Sequence, residues 1–238
     1  MRRTWAVAAL ALWTAVLAAP GCGPREPAAP SPNTLADAER AAGWRLLFDG
    51  QTPEGWRAFK GSDMPDGWQV VDGALTRVAE AGDIVTVDTF ENFELAFDWT
   101  IAPGGNSGVF FRVTEDVEAV WNAGPEYQLL DNAAHQDGLT PETSAGSDYA
   151  LHAPSGDATR PAGEWNEGRL VVNGTHVEHW LNGEKVVEYE IESEDWAARV
   201  AASKFAEFAN FGRVRRGRIA IQDHGNEVAF RNVKIRPL

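Results

Sequence analysis

LVVNGTHVEHWLNGEKVVEYEI, residues 170–191, breaks into three short apolar or alternating runs at Asn173-Gly174 and at Asn182-Gly183. Such pairs adopt the positive φ values that two-residue hairpin turns demand. In the middle run His176, Glu178 and Trp180 alternate with Val177, His179 and Leu181, the period of a strand with one face buried. Three consecutive antiparallel strands are predicted. Upstream, WQVVDGALTRV at 68–78 repeats the device around Asp72-Gly73. Turn signals recur at short intervals along most of the chain, and no internal repeat suits a propeller or solenoid. Helical spacing is confined to SEDWAARVAASKFAEFA, 193–209, where Ser193 suits an N-cap and Trp196, Val200, Phe205 and Phe208 form an apolar stripe. Together these predict an all-β sandwich of two antiparallel sheets with one short late helix.

Residues 1–22, MRRTWAVAALALWTAVLAAPGC, place two arginines before an apolar run from Trp5 to Ala19 and end in small residues and Cys22. That is the layout of a secretory signal peptide, and the run is short for a membrane span. Cys22 follows Ala19-Pro20-Gly21 and resembles a lipidated lipoprotein cysteine, although a lipobox prefers leucine three residues earlier and seldom holds proline. The expected product is an exported lipoprotein at the cell envelope, anchored to the membrane through an N-terminal lipid only. A plain signal peptide, giving a soluble periplasmic or secreted protein, is the alternative. Cys22 is the sole cysteine, so no intrachain disulfide is available and the exported domain relies on its core. Residues 23–42 are rich in proline and alanine and read as a flexible linker. Residues 43–238 remain for one domain of the larger all-β kind.

The formal net charge of -14 includes Arg2 and Arg3. No basic stripe exists to neutralise phosphates, which excludes nucleic acid as a partner. A neutral sugar or a divalent cation fits this composition better.

Three segments gather polar residues at strand ends. In GPEYQLLDN, 124–132, a turn leads into a strand that puts Glu126 and Gln128 on one face. In GGNSGVFFRV, 104–113, glycines bracket Asn106 and Ser107, Ser107 reads as a turn former, and Gly108, Phe110 and Arg112 share a face of a regular strand. In GRIAIQDHGNEVAFRNVKI, 217–235, Gln222 and His224 share a face before a turn at Gly225-Asn226. Each residue taken alone fits equally well as a strand cap or as the partner of a nearby carbonyl. Trp121 and Trp165 lie beside these motifs and offer faces to a sugar ring, whereas Trp44, Trp56, Trp68 and Trp99 sit in strand-like apolar settings that suit a core.

WRLLFDG at 44–50, GWQVVDGAL at 67–75, FELAFDWTI at 93–101, GGNSGVFFR at 104–112, GPEYQLLD at 124–131, EWNEGRLVVNG at 164–174, HWLNGEKV at 179–186 and IAIQDHGNEVAFRNVKI at 219–235 occur in an order and spacing that resemble the bacterial 3-keto-disaccharide hydrolase family. The resemblance covers nearly all of the exported domain. It implies a concanavalin-like jelly-roll sandwich and an enzyme that cleaves glycosides oxidised at C3.

An ordinary retaining glycosidase needs two carboxyl groups roughly 5 to 5.5 Å apart. Laminarinase-type enzymes with this sandwich carry Glu-x-Asp-x-x-Glu on one strand. Here the spacing reads Glu126-x-Gln128-x-x-Asp131, so an amide takes the middle place and Asp131 reaches the face only through a bulge. A ketone at C3 removes the need for a carboxyl pair, because it acidifies the hydrogen on C2 and one base suffices. The resemblance combined with this strand argument implies Glu126 as base and His152 or His224 as acid. Gln128, Arg112 or a bound cation would stabilise the enolate oxygen. Asn106, Arg112, Trp121, Gln128, Trp165, Asn166 and Gln222 would hold an oligosaccharide or glycoside substrate. Direct hydrolysis and elimination followed by hydration both stay open. Glu126, Asp131, Asp148 and the histidines are conceivable ligands for a divalent cation, yet no tight ligand spacing is present and no metal site is assigned. A non-catalytic carbohydrate-binding module of a surface lipoprotein, using the same Trp, Asn, Gln and Arg residues, is the alternative reading.

Overall fold

The computed structural model describes Met1 and residues 31–238. The signal-like segment, Cys22 and the first part of the expected linker lie outside the described residues. In chain order the strands are β1 (Arg45–Leu46), β2 (Trp56–Ala58), β3 (Trp68–Val71), β4 (Ala74–Arg77), β5 (Ile84–Thr86), β6 (Phe93–Ile101), β7 (Asn106–Val113), β8 (Glu126–Leu130), β9 (Asn166–Asn173), β10 (His176–Leu181), β11 (Glu184–Glu190), β12 (Arg218–Ile221) and β13 (Val228–Pro237). Two α-helices, α1 (Asp37–Ala41) and α2 (Glu194–Ala202), accompany them. The larger antiparallel sheet runs β11-β10-β9-β6-β13-β4-β3 with β1 also paired to β13, and the smaller runs β2-β5-β12-β7-β8. The chain is therefore the two-sheet sandwich with one late helix that its turn pattern predicts.

The hairpin turns form for the expected reason, with one change of position. Asp72 and Gly73 both have positive φ (49° and 77°), as do Asn182 and Gly183 (50° and 86°), and each pair is the whole connection between its strands. At the first turn of the β9–β11 meander the register pairs Asn173 with His176. The loop is therefore Gly174-Thr175 rather than Asn173-Gly174, and only the glycine has positive φ, at 65°. One positive φ at the first central position is enough for a type II′ turn, so asparagine is released to end the strand.

Between the sheets, alternate residues of β6 (Phe93, Leu95, Phe97, Trp99 and Ile101) meet Val109, Phe111, Tyr127 and Leu129 from the smaller sheet. Phe97 and Tyr127 pack edge to face with centroids 5.6 Å apart. Each such side chain stabilises the fold by about 1.5–3 kcal/mol, so the core holds the domain without a disulfide. Trp56, Trp68 and Trp99 belong to this core. Trp44 does not: it is half-buried beneath the cations of Lys234 and Arg236, 5.7 and 5.3 Å from the ring centroid. An indole at a sheet edge is stabilised there by cation–π contact instead of burial.

Two boundaries differ from expectation. The last part of the predicted linker is docked on the sandwich: Asn33 exchanges hydrogen bonds with Asn232 (2.6 and 2.8 Å) and donates to the Gly73 carbonyl (2.8 Å). Leu35 is buried, and Glu39 of α1 pairs with Lys234. The late helix stops at Ala202, because Ser203 accepts from the Phe205 amide and starts a separate 3-10 turn over Lys204–Glu207. Phe205 and Phe208 therefore lie beyond α2, although Ser193 caps it as predicted by accepting from Trp196 N.

Candidate active site

Strand β8 is held on both sides. Against β7 its register pairs Phe110 with Glu126, Gly108 with Gln128 and Asn106 with Leu130. Along the other edge Gln128 N donates to Ser147 O (3.1 Å), Gly146 N to Gln128 O (2.8 Å) and Tyr149 N to Glu126 O (3.1 Å). Tyr127 and Leu129 point into the core, so alternation turns Glu126 and Gln128 outward from the sandwich. There they meet Asn106 from β7, Trp121 from the turn before β8, Tyr149, Lys204, and Gln222 with His224 from the end of β12. These eight residues line a cleft of about 130 Å³. Six of them are residues that sequence reasoning singled out.

Glu126 reaches the cleft by crossing Gly108: a Cβ on that glycine would stand 2.1 Å from Glu126 Oε1. Glu126 as a whole is 7% exposed. Burial pushes its carboxyl up to about 8, with Asp83, Asp148 and Asp137 adding to the shift and Lys204 opposing it. A carboxyl so perturbed in a cleft suits proton transfer near neutral pH. Among the described residues no second carboxylate lines this cleft. Asp131 turns away to organise the chain, accepting from Gly104 N (2.8 Å) and Ala133 N (3.2 Å).

Gln128 donates its amide N–H to Thr143 O (3.3 Å), which leaves its Oε1, buried and without a partner, as an acceptor. Asn106 Oδ1 is likewise buried and unpartnered. Buried acceptors without donors are costly unless a ligand supplies them. Ser107, expected in a turn, lies inside β7, where its hydroxyl donates to Gln222 O (2.9 Å) and fixes the end of β12 beside the cleft.

Lys204 and Tyr149 escaped sequence reading. The interruption of α2 by Ser203 throws Lys204 across the cleft, where its ammonium sits 4.4 Å from the Tyr149 ring centroid and 5.3 Å from that of Trp121. Tyr149 donates to Asp137 (3.3 Å), and burial together with the nearby Asp137 and Glu126 charges pushes its hydroxyl up to about 12. The one available signal was the serine that caps a new turn two residues before Phe205.

Four expected residues are placed elsewhere. Arg112 has φ of 60° at a bulge where β7 slips against β12. Its side chain is buried and donates to the carbonyls of Gly212 (2.7 Å) and Gly174 (2.5 Å), neither of which lines the cleft. His152 bonds through Nδ1 to the fully buried Asp148 (2.8 Å) and through Nε2 to Asp195 of α2 (3.3 Å), while stacking on Tyr189 at 4.7 Å. Burial holds the Asp148 carboxyl up at about 6. Trp165 lies under Arg231, 4.0 Å from its ring centroid. Asn166 Oδ1 is used by Arg160 N (2.7 Å) and Asn182 Nδ2 (2.8 Å). Asn166 pairs with Trp99 in the larger sheet, so sequence adjacency to a motif did not bring it to the cleft. The conceivable ligands Glu126, Asp131 and Asp148 do not converge. Among the described residues, His176, Glu178 and Glu188 do so, on the β10–β11 hairpin.

Residues 43–236 match the family model of the 3-keto-alpha-glucoside-1,2-lyase-like domain. A 3-keto-disaccharide hydrolase of Bacteroides thetaiotaomicron is 33% identical over 189 residues, which are 70% of this chain and 65% of that protein. The chain thus spans a little under two-thirds of that relative's length. A candidate glycosyl hydrolase from Parabacteroides distasonis has a crystal structure that superposes with a TM-score of 0.82 at 39% identity, covering 87% of this chain and 100% of that one. A second from the same organism gives 0.64 at 30% identity over 82% and 99%.

Proposed function

The chain belongs to the family of 3-keto-alpha-glucoside-1,2-lyase-like domains, and from that premise we propose that it cleaves glycosides already oxidised at C3, with Glu126 as the base. The observation that carries this reading is a lone carboxyl, raised to about 8 by burial, in a cleft that holds no second one among the described residues. Double displacement at an unoxidised sugar lacks its nucleophile and acid pair there.

The steps balance as follows. Glu126 carboxylate takes the proton from C2, and the electrons of that bond form the C2=C3 double bond with negative charge on the former ketone oxygen. Lys204, the cation over the cleft, stabilises that charge. One of the two Gln128 amide N–H donors is given to Thr143, and its unpartnered Oε1 serves as an acceptor for a substrate hydroxyl, with Asn106 Oδ1 beside it. Return of the enolate electrons restores the ketone, forms C1=C2 and expels the oxygen on C1, which takes a proton from His224 at the rim. Water then adds to C1 and a proton returns to C2, giving net hydrolysis. Trp121 closes one side of the ring site. Export as a lipoprotein belongs to the same proposal and would bring the enzyme to glycosides outside the cytoplasm.

The test incubates the purified domain with methyl 3-keto-glucoside and with its unoxidised parent, in water and in D2O. Cleavage of the keto form alone, deuterium at C2 of recovered substrate and loss of both with Glu126→Gln are expected. Equal cleavage of the two sugars would end the proposal.

A further inference from the structure

Lys204 follows the last residue of α2 by two positions, so its place over the cleft depends on where that helix is docked. One short segment both docks the helix and borders the cleft. From Asp148 to His152 the chain makes a tight turn, with Ala150 at φ 61° and the Leu151 and His152 amides both donating to Asp148 O (2.9 Å each). The start of the turn is tied to the strand of the base: Tyr149 N donates to Glu126 O (3.1 Å), and the Tyr149 ring lies against the Lys204 ammonium. The end of the turn meets the helix. His152 Nε2 reaches Asp195 (3.3 Å), its ring lies nearly parallel to that of Trp196 with centroids 6.1 Å apart, and Arg199 closes the contact by donating to Asp195 (2.7 Å) and to Leu151 O (2.9 Å). Asp195, Trp196 and Arg199 all belong to α2.

Stability alone does not account for these residue types. Asp148 is fully buried, with His152 Nδ1 on its Oδ2 (2.8 Å) and no partner on Oδ1. A buried carboxylate with an unsatisfied oxygen is costly, and well-packed apolar residues of similar volume often hold a fold as well or better. What the imidazole adds is direction, because each of its two nitrogens bonds a carboxylate along a line fixed by the ring. A helix pinned in this way at its first turn keeps its rotation as well as its position, and carries the constraint about 10 Å to its far end. We propose that His152, which does not line the cleft, is a positioning residue: by joining Asp148 to Asp195 it sets Lys204 over Tyr149. The inference rests on the reading of Lys204 above.

The test uses Asp195→Ala and His152→Ala, each alone and combined with Lys204→Met, on methyl 3-keto-glucoside. The Asp195 side chain is 64% exposed, so its removal breaks the link without opening a cavity. Each single variant is expected to lose up to about 10²-fold in kcat, with KM within about twofold of wild type. Asp195→Asn, which still offers an oxygen to the imidazole, should restore most of the loss. In the Lys204→Met background neither variant should change kcat by more than about twofold, since residues that act through one group are not additive. Unchanged kcat in the single variants, or a full further loss in the Lys204→Met background, would overturn the proposal. A second measurement needs no turnover. With lysine labelled at the ε carbon, the Lys204 Hε resonance, shifted by the Tyr149 ring and assigned by its absence from Lys204→Met, is expected to move toward that of an exposed lysine in Asp195→Ala and His152→Ala. An unmoved resonance would overturn the positioning role, whereas a moved one with an inert sugar would uphold it and sink only the assignment of the reaction.

Discussion

The carboxyl of Glu126 occupies the space that a side chain on Gly108 would fill, with Oε1 2.1 Å from the position of that absent Cβ. The two residues sit on paired strands, two residues out of direct register, with Gly108 opposite Gln128 and Glu126 opposite Phe110, and the glycine lets the acid lie flat across the sheet. Gly108→Ala should therefore displace the carboxyl without unfolding the strand, since alanine is tolerated in β structure. A misplacement of about 1 Å costs on the order of 10²-fold in rate. Turnover of a 3-keto-glucoside should fall by about that factor while the far-UV circular dichroism stays unchanged, and full activity in the alanine variant would show that the carboxyl's position does not matter.

Glu126 should also give the enzyme its pH dependence. With the carboxyl raised to about 8, the base form grows as pH rises, so kcat/KM is expected to climb through about 8. Lys204 holds the value down, so Lys204→Met should move that limb to higher pH. A pH profile flat from 6 to 9, measured at about 0.1 M ionic strength to limit screening differences, would contradict the assignment.

The same shift has a consequence for stability. The folded value of about 8 exceeds the ordinary 4.5, so the folded state binds the proton more tightly than the unfolded chain. The associated stability is fully present below about 4.5 and is lost as pH rises through about 8. Glu126→Gln removes this dependence, and its melting temperature relative to wild type should increase from pH 5 to pH 9. The gain at the upper end should be on the order of a few kcal/mol, as read from denaturant midpoints.

Lys204 is expected to act on rate more than on binding. Lys204→Met should lower kcat on the order of 10²- to 10³-fold, the usual cost of deleting one electrostatic donor to a developing oxyanion. Lys204→Arg should recover part of it. Comparable KM with lost kcat is the signature to look for, and an unchanged kcat would remove the lysine from the mechanism.

Arg112 should behave in the opposite way. Its guanidinium bonds the carbonyls of Gly212 and Gly174, and stranding buried carbonyls costs about 1–3 kcal/mol each. Arg112→Met should lower the melting temperature markedly with little change in kcat per folded molecule. Selective loss of turnover at full stability would return Arg112 to the site.

The elements that proved legible were those whose physics is local. Asp72-Gly73 and Asn182-Gly183 name their turns because only certain residues accept positive φ, and Ser193 names the start of α2 because its hydroxyl serves an amide three residues on. Strand alternation likewise put Glu126 beside Gln128, and Gln222 with His224, before any partner was known. Where the rule of alternation was interrupted, reading failed. The positive φ at Arg112 rotates its side chain out of the face that Gly108 predicts, and no residue type at that position announces a bulge.

By itself, the sequence determined the two-sheet fold, the identity of the lone acid and the absence of an acidic neighbour at the next outward position on its strand, since each follows from spacing along one segment. The tertiary structure alone decided that Lys204 and Tyr149 join that acid, that His152 serves Asp148 and Asp195, and that Asn33 belongs to the domain. Those outcomes depend on which distant segments share a face, and on burial, which raises the Glu126 carboxyl through the water it excludes and has no counterpart in the one-dimensional pattern.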